Sequence, residues 1–247
     1  MQRRIRIAAG QFAPVRGNIA ENIRHHEVLI QSAASAGVNL IIFPELSLTG
    51  YEPELAESLA LSDDNYLRSL QNLSDACDMT IIAGAPAVIP GDKPAISAFI
   101  ISPRQPVSHY RKIHLHPGES DYFSSGNEER VFTCHQFSIG LAVCADAGRP
   151  EHADNTAQLG AEIYLNAVLS AGGYEKDTEL LRGYAAHHQM PTLMANYCGP
   201  SGGWLPVGKS AAWNAEGKLV AQAPEDKTAL VIVDIHDKAC VGEVLLC

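Results

Sequence analysis

Four residues of this chain could do chemistry together: Glu45, Lys112, Glu119 and Cys144. Cys144 ends the stretch Phe137-Ser138-Ile139-Gly140-Leu141-Ala142-Val143, an apolar run with β-branched residues that reads as a buried strand. Pro150-Glu151 then opens a helical pattern. A thiol at the mouth of a buried strand, just before a helix, sits where backbone N–H groups favour thiolate and a developing oxyanion. Glu45 follows Leu40-Ile41-Ile42-Phe43-Pro44, again at the end of an apolar strand, where a dry setting lifts a carboxylate toward general-base range. Lys112 closes His109-Tyr110-Arg111, and a fixed ammonium there could stabilise a negative tetrahedral intermediate. Glu119 is a second loop acid, in His116-Pro117-Gly118-Glu119. Taken singly, each has a plainer reading: a packed thiol, loop acids and a surface lysine.

The elements that must position them follow from the patterning. Arg6–Phe12, Val38–Phe43 and Thr80–Gly84 read as strands, with helices between them. The first helix opens at Asn18, with Glu21 in capping-box spacing, and ends at Gly37. Ser62 is expected to cap the second, which carries Leu67, Leu70 and Leu73. Ala95–Ile101 and Val107–Tyr110 form a hairpin, and 111–126 is a long, polar loop. Beyond the Cys144 strand, helices are expected at Pro150–Leu159 and Thr178–Met190, alternating with strands at Glu162–Val168 and Thr192–Asn196. Final strands lie near Ser210–Trp213, Lys218–Ala221 and Ala229–Asp234. The order suggests an α/β architecture of two similar halves, with two sheets face to face and helices outside. With no linker or composition shift, residues 1–247 are expected to form a single domain.

Composition narrows the partners. The 247 residues are 46% hydrophobic and 19% charged, ordinary for a chain with a sizeable core. A formal charge of -10 argues against nucleic acid or an anionic membrane surface as partner. The six cysteines include no C-x-x-C pair, and no stretch approaches a membrane span or a signal h-region. A reduced, cytoplasmic protein is the expectation. His114-Leu115-His116 lacks a third metal ligand, and His187-His188 reads as helix surface, so no metal is expected. Gly208-Lys209-Ser210 lacks the spacing of a phosphate loop. A Cys–His hydrolase is conceivable, but no histidine has a local context tied to Cys144.

Glu45 in Phe-Pro-Glu-Leu, Lys112 in Tyr-Arg-Lys-Ile-His-Leu and Cys144 before Ala-Asp, in that order at strand ends, resemble the nitrilase (carbon–nitrogen hydrolase) superfamily. The resemblance runs over nearly the whole chain, from Ala8-Ala9-Gly10-Gln11-Phe12 through Glu119-x-x-x-Phe123-x-x-Gly126, Asp146, Pro150-Glu151 and Asn196 to Gly208-Lys209-Ser210. It implies a four-layer α-β-β-α sandwich of two mixed sheets, a Glu–Lys–Cys triad and assembly as a homodimer or higher homo-oligomer. It also implies roles. Cys144 is the nucleophile, Glu45 the general base and Lys112 the oxyanion partner, helped by the backbone N–H of Ala145, with Glu119 in support. No cofactor is implied.

Two departures mark this sequence: Ala145 replaces the usual aromatic residue, and Gly148-Arg149 stand before Pro150. Both bear on substrate preference. Tyr51, Ala145, Arg149 and Asn196 are the expected substrate contacts, with Arg149 the nearest candidate for an acyl carboxylate. By analogy with short members of the superfamily, a small carboxamide with a neutral or weakly polar acyl group is the favoured substrate. N-carbamoyl compounds, nitriles and a catalytically silent binding protein are the alternatives.

Overall fold

A computed structural model describes residues 3–62, 65–236 and 239–247. The strand β1 (Arg4–Gln11), helix α1 (Ile19–Ser35), β2 (Leu40–Ile42), α2 (Asn65–Cys77) and β3 (Thr80–Ala87) form the first unit. The hairpin β4 (Ala95–Ile101) and β5 (Ser108–Arg111) extends it. The second unit comprises β6 (Arg130–Cys134), β7 (Phe137–Val143), α3 (Pro150–Gln158), β8 (Ile163–Ala167), α4 (Tyr174–His188) and β9 (Thr192–Ala195). β10 (Ala211–Trp213), β11 (Leu219–Gln222), β12 (Ala229–His236) and β13 (Ala239–Leu246) follow.

Two mixed sheets result, ordered β13-β12-β1-β2-β3-β4-β5 and β11-β10-β9-β8-β7-β6. Each has a parallel centre, β1-β2-β3 in one and β7-β8-β9 in the other, flanked by antiparallel strands. The period-2 alternation of the strands decides the layers. Ile7, Ala9, Leu40 and Ile42 face the other sheet, where Ile139, Leu141, Ile163, Leu165 and Leu193 meet them in one buried cluster. The alternate residues Ala8, Ile41, Ile81 and Ala83 face outward, under Ile23, Ile30, Leu67 and Leu70 of α1 and α2. On the other side, Ala142, Tyr164 and Met194 pack beneath Ala153, Leu181 and Ala185 of α3 and α4. The fold is therefore the expected α-β-β-α sandwich.

Several local expectations change. The chain does not divide into two clean halves, because β12 and β13 return to the first sheet beside β1. β6 and β13 have no counterpart in the sequence reading. At α1, Asn18 Oδ1 accepts the Glu21 N–H at 3.1 Å, but the Glu21 carboxylate pairs with Arg24 rather than closing a capping box. α4 starts at Tyr174, four residues before the expected Thr178, with Glu175 and Asp177 in a first turn whose dipole favours acids. The expected cap of α2 by Ser62 depends on residues 63 and 64, which lie outside the described residues. No helix among the described residues is long and apolar enough to cross a membrane.

The turn after β2 lies flat on β3. Leu48 N–H donates to Gly84 O at 2.8 Å, and Gly84 N–H donates to Ser47 Oγ at 3.0 Å. A Cβ on Gly84 would stand 2.4 Å from Leu46 N and 2.9 Å from Pro44 O, both backbone atoms that cannot swing away. Gly84→Ala is therefore expected to destabilise the fold by about 1–3 kcal/mol through overpacking. An unchanged midpoint in thermal or denaturant unfolding would show that the turn is not so tightly seated.

Candidate active site

Glu45 leaves β2 after Pro44 and is 1% exposed. Its backbone C=O accepts the Tyr197 hydroxyl at 2.6 Å, so the elbow is held from the second unit as well as by β3. Lys112, fully buried, leaves β5 and enters the long loop. Lys112 N–H donates to Ile96 O at 2.9 Å, and Gly126 N–H donates back to Lys112 O at 2.7 Å. Gly126 is required there, since a Cβ would stand 2.2 Å from Arg111 O. Glu119 begins a single 3-10 turn, Glu119–Asp121, and is 2% exposed.

These loops bring three charges together. Lys112 Nζ donates to Glu45 Oε1 at 2.7 Å and to Glu119 Oε1 at 2.8 Å. Glu119 also accepts the Tyr51 hydroxyl at 2.7 Å on Oε1 and the His116 N–H at 2.7 Å on Oε2. Glu45 Oε2, in contrast, is buried without a hydrogen-bond partner. Burial raises Glu45 most, with help from the Glu119 charge, and Lys112 and the Cys144 thiol oppose it, leaving its pKa at about 7. Burial would lower Lys112, but the charges of Glu45, Cys144 and Glu119 outweigh it and hold the ammonium protonated. The Cys144 thiol is pushed well above its usual value by burial and by Glu45, with Lys112 acting against them. The resting pair is thus a thiol facing a carboxylate poised to take its proton.

Cys144 ends β7 in the left-handed region, at φ 48°, unusual for a residue with a side chain. Asn166 of β8 holds it there, its Oδ1 accepting the Cys144 N–H at 3.1 Å. Asp146 ties this turn to the lysine loop. Its carboxylate accepts Val143 N–H at 3.0 Å, Ile113 N–H at 3.1 Å, His114 N–H at 2.8 Å and the Tyr110 hydroxyl at 2.7 Å. Burial alone would raise Asp146, yet His114 and these other donors hold it below the ordinary carboxylate range. Tyr110 meets His152 at 2.9 Å, and His152 meets Tyr164 at 2.9 Å, extending the buried network under the site.

A cavity of about 210 Å³ opens over the sulfur. It is lined by Glu45, Tyr51, His116, Glu119, Cys144 and Ala145 together with Gly148, Val168–Gly173, Asp177 and Trp204. Of the expected substrate contacts, Tyr51 and Ala145 are on the wall. Arg149 is not: it is exposed at the start of α3, outside the lining. Asn196 is buried behind the wall, where its side chain pins Ser170 N at 2.9 Å, Ser170 O at 3.0 Å and Gly208 O at 2.8 Å. Asn166 and Asp177 have no place in the sequence reading. A lone amide inside the apolar run of β8 is the available signal for the first, and the second offers none locally. His114 serves Asp146, and His116 lines the cavity. Away from that lining, ligand atoms of Asp154, His187 and His188 lie within 4.8 Å of one another, the one potential metal-holding group among the described residues.

Residues 6–241 match the carbon-nitrogen hydrolase family model. A glutamine-dependent NAD(+) synthetase of Thermotoga maritima is 27% identical over 94% of this chain, which spans 42% of that protein's length. A nitrilase of Pyrococcus abyssi is 27% identical, covering 94% of this chain and 89% of the relative. Among solved structures, an amidase from Nesterenkonia sp. AN1, crystallised as a cysteine-to-alanine mutant with butyramide, superposes with a TM-score of 0.87. It is 24% identical, covering 94% of this chain and 90% of that one, and so bears on the fold. With a family model spanning nearly its whole length and the two-sheet architecture to match, this chain belongs to the carbon-nitrogen hydrolase family.

Proposed function

We propose that this protein hydrolyses the C–N bond of a small carboxamide, releasing ammonia through a Cys144 thioester. The observation that carries this reading is the buried Glu45, with Oε1 tied to the Lys112 ammonium and Oε2 left no donor but the neighbouring Cys144 thiol, both Glu45 and Cys144 lining the cavity. That oxygen is placed to receive the thiol proton. The mutant amidase solved with butyramide is similar in fold and consistent with a small carboxamide substrate. A volume of about 210 Å³ suits a small acyl group, roughly seven water-sized units at about 30 Å³ each.

In this mechanism Glu45 takes the thiol proton and the sulfur attacks the carbonyl carbon. The oxyanion forms against the Lys112 ammonium and the backbone N–H of Ala145. Glu45 returns the proton to the amide nitrogen, the C–N bond breaks, and ammonia leaves a thioester on Cys144. Glu45 then deprotonates a water that attacks the thioester, and the carboxylic acid departs as sulfur recovers its proton. Glu119 keeps Lys112 in place throughout. Side chains and water balance every step. Turnover of a nitrile panel alone would move the assignment to the nitrilase alternative, and the same holds for N-carbamoyl compounds. The reading carries a homodimer or larger homo-oligomer as its assembly.

Ammonia release from small aliphatic amides tests the proposal directly. Cys144→Ala is expected to lower turnover by at least about 10³-fold, since the nucleophile is lost. Activity in that variant equal to wild type would remove thiol catalysis altogether. The pH profile follows from Glu45. Its free-enzyme pKa of about 7 means that the base is protonated at lower pH. The value of kcat/KM should accordingly rise about tenfold per pH unit up to about 7 and then level. A profile already flat from pH 5 upward contradicts that assignment.

Asp146 makes no contact with the cavity and is a positioning residue. In Asp146→Asn, an amide N–H₂ must face donors now served by a carboxylate oxygen, at a cost of about 1–3 kcal/mol in stability. We expect kcat to fall more than KM rises, as the cysteine turn loosens from the lysine loop. Equal effects on kcat and KM at unchanged stability would count against it.

A further inference from the structure

The cavity holds a charged group that the proposed mechanism does not use. Asp177, in the first turn of α4, lines the same cavity as Glu45 and Cys144. Ser170 Oγ donates to its Oδ2 at 2.6 Å. Ser170 is itself 2% exposed, and its backbone is clamped on both sides by Asn196. Oδ1 takes no hydrogen bond among the described residues. Both carboxylate oxygens lie beside Gly173, 3.7 and 3.9 Å from where a Cβ would stand, and both residues line the cavity. Its charge is among those acting on the Cys144 thiol, which places carboxylate and sulfur in one electrostatic field.

Among the described residues that line the cavity there is no lysine or arginine to answer it, and His116 is the one basic side chain. Lys112 is already shared between Glu45 and Glu119, and Arg149 lies outside. The lining from the loop before α4 is neutral: Val168, Leu169, Ser170, Ala171, Gly172 and Gly173. A carboxylate kept half-buried at a hydrogen-bonding post, with one oxygen unengaged, recognises a positive group on whatever enters. By the same field it rejects an acyl carboxylate.

We propose that Asp177, oriented by Ser170, is a specificity-determining residue that selects carboxamides whose acyl group carries a protonated amine. The inference rests on the amidase reading and narrows it from the neutral acyl group favoured by the sequence to a cationic one.

The test compares three amides of similar length: γ-aminobutyramide, its uncharged isostere valeramide, and succinamate. Wild type should show kcat/KM for γ-aminobutyramide at least about tenfold above valeramide, with succinamate lowest. Asp177→Asn keeps the shape and the Ser170 contact but removes the charge, so the ratio of amine to isostere should collapse toward one. Because that ratio is read within a single protein, a partial loss of folded material leaves it intact. Ammonia release without a preference for the amine, or a preference unchanged in Asp177→Asn, overturns the inference while leaving the amidase reading standing. Should wild type release ammonia from none of the three, the amidase reading falls, and calorimetry on Cys144→Ala decides the inference. Tighter binding of γ-aminobutyramide than valeramide, lost in Cys144→Ala/Asp177→Asn, upholds it. Equal binding of the two rejects it.

Discussion

The site depends on one buried ammonium held between two carboxylates. Taking Lys112, Glu45 and Glu119 out of water is costly, and breaking one member away strands the others at a further loss of about 3–5 kcal/mol. What compensates is complete pairing on the Glu119 side, where Lys112, Tyr51 and the His116 N–H all converge. This resolves an apparent contradiction. An acid beside a lysine ordinarily titrates low, yet Glu45 is raised to about 7. Glu119 has already answered much of the ammonium's charge and adds its own repulsion, so burial decides the Glu45 protonation state. Burial lifts Glu45, and the second carboxylate adds to it.

The same arrangement explains why the reacting groups sit where they do. Glu45 follows the carboxyl end of β2, Cys144 that of β7, and Val168–Ser170 that of β8. These are strands of the parallel centres of the two sheets, and open α/β sheets place their binding crevices at such ends. Glu45 and Lys112 belong to one sheet and Cys144 to the other, so the distances between them are set by how the sheets pack rather than by any one loop. Asp146 and Tyr197 are among the polar contacts that cross between them.

Much of this was legible in the chain. Glu45 and Cys144 stand where apolar runs stop abruptly, and that punctuation carries both strand and site. Lys112 and Glu119 gain meaning only from their order relative to those two. Other features had no local signature. Asp177 looks no different from Glu175 in the same helical turn, and only the seating of α4 brings it to the cavity. Arg149, beside the cysteine in sequence, is carried outward because α3 begins there. Asn196 serves the wall rather than the substrate, since its amide is spent on backbone groups. β13 reads poorly because Val241, Val244, Leu245 and Leu246 on this edge strand remain exposed, so burial never imposed an alternation on it.

The return of β12 to the first sheet, beside β1, has a consequence for biosynthesis. β1 pairs with β12 along its full length, from Arg4 opposite His236 to Gln11 opposite Ala229. One edge of β1 therefore emerges from the ribosome without its partner and waits for roughly two hundred further residues, tens of seconds at bacterial rates. The second parallel unit, with Cys144 and Asn166, is complete before β12 exists. A nascent chain thus has the turn carrying Cys144 in hand before it can close the sheet that carries Glu45. During that interval the unpaired, apolar edge of β1 is the segment most exposed to wrong pairing and to chaperone capture.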